Sequence, residues 1–96
     1  MSAPVFTLAL DCVPKLPRGV RLKHDELRQE WLLLAPERII KLNMVAVEVL
    51  KRCNGAATLG EIVTDLAVNF AADRVRIEAD VRVLIGDLAQ KRLLDV

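Results

Sequence analysis

Trp31–Asn43 reads WLLLAPERIIKLN. Two apolar runs, Trp31–Leu34 and Ile39–Leu42, flank a short connection at Ala35–Pro36–Glu37–Arg38. Proline presets φ at the second position of a β-turn, and the flanking runs have strand length without a helical stripe. The stretch therefore predicts a hairpin whose second strand feeds directly into a helix starting near Asn43. A small sheet has edges, and the Ile39–Leu42 edge is where a binding function would be sought.

On the N-terminal side, Val20 and Leu22 alternate with Arg21 and Lys23, which predicts a half-buried strand after Arg18–Gly19. Asp25–Glu30 reads as a charged connection, with His24 at its entrance as a surface histidine lacking catalytic partners. Residues 1–17 differ in kind. Pro4, Pro14 and Pro17 punctuate them and disfavour both helix and central strand. Phe6, Leu8 and Leu10 alternate with Thr7 and Ala9, as an accessory strand or an arm packing on a neighbour would, but the default expectation is a loosely ordered arm. The domain proper is expected over residues 18–96.

On the C-terminal side, Asn43 is a candidate N-cap for a helix over Met44–Cys53. Val45, Val47 and Val49 also satisfy a strand period, and Asn54–Gly55 could then be a hairpin turn. The spacing of Met44, Val47, Leu50 and Lys51 favours the helix, with Gly55 in a left-handed C-terminal position. Thr58 and Glu61 form a capping box, followed by an apolar face of Leu59, Ile62, Val63, Leu66 and Phe70. The last helix is predicted from about Arg74 to Lys91, with Ile77, Val81, Leu84 and Leu88 as its core stripe and Ile85 on the shoulder. A second line, Ala79, Val83, Gly86 and Gln90, is smooth enough for another backbone to approach. Leu93–Val96 is an apolar tail that could form a short strand. Three strands in an antiparallel sheet followed by three helices make an α+β fold resembling a winged helix-turn-helix.

Composition narrows the functions. The chain has 96 residues, enough for one domain, and its 53% apolar content is almost entirely aliphatic. Phe6, Trp31 and Phe70 are the only aromatics, which leaves no platform for stacking bases. The formal charge of +1 lacks the basic excess of a nucleic-acid binder. A DNA-reading winged helix remains an alternative, but Arg74, Arg76, Arg82 and Lys91 of the last helix are offset by Asp73, Glu78, Asp80 and Asp87. Cys12, Cys53 and His24 cannot assemble a metal or iron–sulfur site, and the two cysteines read as reduced thiols with Cys53 half-buried. No apolar run reaches membrane-spanning length, so a cytoplasmic protein is expected. No nucleophile–base pair, carboxylate pair or glycine-rich phosphate loop is present, which argues against an enzyme. A protein that binds a peptide by strand addition fits better.

Several segments then fall into a known order. Arg18–Gly19–Val20–Arg21–Leu22, Trp31–Leu34 with Ala35–Pro36–Glu37–Arg38, Leu42–Asn43, Cys53–Asn54–Gly55 and the Thr58–Leu66 helix start together resemble the pyrroloquinoline quinone (PQQ) biosynthesis protein D family from Pro14 to Val96. At Arg92 this family often carries Gly. The resemblance implies a peptide chaperone, a recognition element for ribosomally made, modified peptides. It would bind the precursor peptide and present it to a radical S-adenosylmethionine (SAM) enzyme, with no cofactor of its own. A recognition element of another modified-peptide pathway is the nearest variant. By the same resemblance, the peptide adds to the third strand, Arg38, Ile39, Ile40, Lys41 and Leu42, and lies against the last helix. There the expected lining is Ala79, Arg82, Val83 and Gly86. An open edge also makes strand exchange or a homodimer conceivable beside a monomer.

Overall fold

Period-2 alternation around a proline turn becomes a meander of β1 (Arg21–Asp25), β2 (Glu30–Ala35) and β3 (Arg38–Leu42), antiparallel in the order β1-β2-β3. This computed structural model describes residues 8–96. The register pairs Leu22 with Leu33 and Leu33 with Ile40, placing all three on one face, where Leu33 is fully buried. Arg21, Lys23, Leu32, Leu34, Ile39 and Lys41 occupy the opposite face, because successive side chains of a strand point to opposite sides. The charged connection is shorter than predicted. Asp25 and Glu30 pair within the sheet, and the Asp25 carboxylate accepts from the backbone N–H groups of Leu27 and Arg28.

Three helices follow: α1 (Met44–Lys51), α2 (Leu59–Asn69) and α3 (Arg74–Gln90). The Asn43 side chain accepts from the Ala46 N–H at 2.8 Å, which starts α1 as predicted. The helix stops short of Cys53, and Gly55, although at φ 80°, lies in the turn beyond its cap. The Thr58–Glu61 capping box is complete, at 3.1 and 2.8 Å. Neither α2 nor α3 ends on glycine. Ala71 (φ 47°) and Arg92 (φ 61°) take the left-handed position of Schellman motifs, in which Ala72 N–H bonds Ala67 C=O and Leu93 N–H bonds Leu88 C=O.

The core is one aliphatic cluster in which Leu33, Leu50, Leu59, Ile62, Val63 and Ile85 are all but inaccessible. Ile85, expected on the shoulder of α3, is at its centre, and Phe70 is 55% exposed rather than part of the α2 core face. Close packing runs from α2 to α3 and from α1 to α2, β1 and β3.

The largest departure concerns the N-terminal arm. Residues 8–17 pack onto the domain instead of standing off loosely. Leu8 and Pro14 are buried, and the carbonyls of Leu10, Cys12 and Pro14 accept from Gly60, Leu59 and Gly55. Lys15 and Asp95 exchange backbone hydrogen bonds at 2.8 Å, so the expected terminal strand is a single bridging pair. Prolines exclude regular structure here, but not a segment whose carbonyls are satisfied by neighbours. The expected positions of Pro4, Phe6 and Thr7 lie outside the described residues.

Candidate functional site: the β3 edge and its adjoining cleft

Ala35 and Arg38 flank a two-residue turn, so they form a directly hydrogen-bonded pair. By the antiparallel alternation, Ile40 and Leu42 bond inward to Leu33 and Trp31. Ile39 and Lys41 therefore direct their backbone N–H and C=O groups away from β2. No described strand covers that edge. Its side chains divide in the opposite sense. Ile40 and Leu42 pack towards the core, whereas Ile39, 71% exposed, sits on the outer face beside Lys41, which is paired with Glu30 at 3.0 Å.

Where β3 passes into α1, a cleft of about 330 Å³ opens between the three helices. Met44 and Val45 form one wall, Leu66 and Phe70 another, and Ile77 and Val81 the third, with Ala72 at the rim. Met44 and Val45, in the first turn of α1, are each 61% exposed. Two carboxylates join this lining, Glu48 and Asp80. Glu48 is paired with Arg52 at 2.9 Å and Lys51 at 3.6 Å, and the hydrogen bond from Arg52 holds its carboxyl below the usual carboxylate range. Arg52 also reaches Asp65, tying α1 to α2 behind the cleft.

The α3 residues expected from the sequence do not line this cleft. Arg82 turns to the other flank, donating to the Leu8 carbonyl and pairing with Glu78 at 3.2 Å. Gly86 is buried, while Ala79 and Val83 remain exposed outside the cleft lining. The lining on α3 is Ile77, Asp80 and Val81 instead. The displacement has a simple origin. The helical wheel identifies two flanks beside the core stripe, and the Leu8–Pro17 segment, read as loose, lies by one of them. The signal that could have located the cleft was Met44–Val45 directly after an N-cap, followed by Phe70 at the end of α2.

Burial pushes the Cys53 thiol up to about 12, and its Sγ donates to the Val49 carbonyl; this cysteine is 3% exposed, not half-buried. Burial also raises Cys12. His24 lies within β1 with its ring tilted 43° against that of Trp31, centroids 4.9 Å apart, and Lys51 Nζ sits 4.9 Å from the centroid of the same Trp31 ring. Among the described residues, no three of His, Cys, Asp and Glu converge as a metal-binding group. No helix among the described residues is long and apolar enough to cross a membrane.

Residues 30–94 match the family described as Coenzyme PQQ synthesis protein D (PqqD). A Rhodopseudomonas palustris protein named PqqA binding protein is 46% identical over 94 residues, covering 98% of this chain and 92% of its own length. Among solved structures, the PqqD truncation of Methylobacterium extorquens PqqCD superimposes with a TM-score of 0.81 at 44% identity, covering 94% of this chain and 96% of that one. It is described as a stand-alone recognition element for ribosomally synthesised and post-translationally modified peptides. TbiB1, solved in complex with the TbiA(beta) leader peptide, superimposes with a TM-score of 0.72 at 25% identity, covering 84% and 94%.

Proposed function

The chain belongs to the PqqD family, and from that membership we propose that it is the recognition element of PQQ biosynthesis that holds the precursor peptide PqqA as an added strand on β3. The observation that carries this reading is a β3 edge that no described strand covers, followed after the single residue Asn43 by Met44 and Val45, which line the apolar cleft. Backbone groups of Ile39 and Lys41 would pair with the guest strand, supplying affinity that tolerates sequence variation. Inward-pointing guest side chains would pass over Ile40 and Leu42 and reach the cleft, which supplies selectivity. Arg38 sits at the turn end of the same edge. On α3 the peptide-facing residues in this reading are Ile77, Asp80 and Val81; Ala79, Arg82, Val83 and Gly86 fall outside it.

The protein would act by holding and presenting the peptide, with the bond-forming chemistry carried by a radical SAM partner that brings its own clusters. Calorimetric titration with synthetic PqqA, alone and with that enzyme, tests both parts. Saturable binding of PqqA, and retention of the protein–peptide pair by the enzyme, are expected. Absence of PqqA binding to the folded protein overturns the recognition role; binding without retention overturns only presentation.

A further inference from the structure

We propose that the cleft selects a guest strand carrying a Lys or Arg beside an apolar residue, with Asp80 as the carboxylate that receives the cation. This rests on the peptide-binding reading and adds a charge requirement to it. The walls of the cleft are aliphatic or aromatic, and its charged lining residues are both acidic. They are not equivalent. Glu48 already holds Arg52 and Lys51, and a further cation there would compete with partners on its own helix and cap. Among the described residues, Asp80 makes no ion pair. Arg74 and Arg82 are paired with Glu78 and Lys91 with Asp87, and Arg76, one turn before Asp80, is not paired with it.

Successive inward-pointing side chains of a strand are about 7 Å apart. One can therefore fill the apolar floor while the next reaches the rim. The apolar walls reduce the screening of a rim charge once the guest excludes water, so a cation gains more there than on an open surface, and a carboxylate is repelled. The requirement is confined to inward positions. Outward guest side chains meet Ile39 and a Lys41 already paired with Glu30.

The test is a double-mutant cycle read by calorimetry, using the full chain and its Asp80→Asn variant. The probes are synthetic PqqA and peptides in which each Lys or Arg is replaced singly by Gln. The wild-type protein is expected to lose about three- to tenfold in affinity for one Gln peptide. Asp80→Asn is expected to bind unmodified PqqA weaker by the same factor, and to be indifferent to that one replacement. The coupling should shrink as salt is raised. Asp80 is exposed and unpaired, so the variant is expected to melt with the wild type. Equal affinity of both proteins for every peptide overturns the charge requirement while leaving strand addition intact. Failure of wild-type protein to bind PqqA overturns the underlying reading instead.

Discussion

Arg92 and Ala71 occupy a backbone region in which a Cβ crowds the following carbonyl, at a cost of about 1–2 kcal/mol. Glycine would relieve that strain, offset in part by the greater freedom it has in the unfolded chain. Arg92→Gly is therefore expected to stabilise the protein by about 0.5–1 kcal/mol, measured by urea denaturation. The resemblance had marked Arg92 as a departure from glycine, and the φ of 61° gives that departure its meaning: the turn geometry is kept and the strain accepted. Cys53 offers a second residue-scale prediction. Its thiol is raised by burial from 9.0 to about 12, so above pH 9 the unfolded chain releases a proton that the folded chain retains. Stability present below pH 9 is then lost as pH rises towards 12, and Cys53→Ala should flatten that part of a melting-temperature profile.

At the scale of elements, β3 separates two proline substitutions that look alike in sequence. Ile40 gives its N–H to the hairpin, so Ile40→Pro breaks β2–β3 pairing and is expected to lower the midpoint of urea denaturation. Ile39 and Lys41 face outward, and an edge strand tolerates proline where its N–H faces solvent. Lys41→Pro is thus expected to fold while weakening PqqA binding at least about tenfold, measured by calorimetry on protein whose circular dichroism matches the wild type. Unchanged affinity would place the peptide elsewhere. The hairpin itself was legible from its apolar runs and proline, and α2 from its capping box. The stop of α3 was read to within one residue, at about Lys91, whereas that of α2 was less legible, because a left-handed cap on Ala71 carries no glycine signal.

Across the whole molecule, the Leu8–Pro17 segment closes the domain by joining elements distant in sequence. Leu8 enters the common core, and Lys15 forms bridging pairs with Asn54 and Asp95. Leu8→Ala is expected to cost about 2–4 kcal/mol in chemical denaturation, a core-sized loss that a loose arm could not produce. The same segment bears on which flank of α3 borders the cleft. Arg82 reaches Leu8, which leaves the Ile77–Asp80–Val81 flank as the one bordering the cleft.

By itself the sequence determined what local rules control: the proline-turned hairpin, the Asn43 and Thr58 caps, and the apolar stripes of α2 and α3. These follow from periodicity and backbone chemistry within a few residues. The tertiary structure alone decided which flank of α3 borders the cleft, that Phe70 and Met44 belong to its walls, and that the proline-rich segment is part of the domain. Each of these depends on contacts between residues tens of positions apart, and periodicity within one element carries no record of its neighbours.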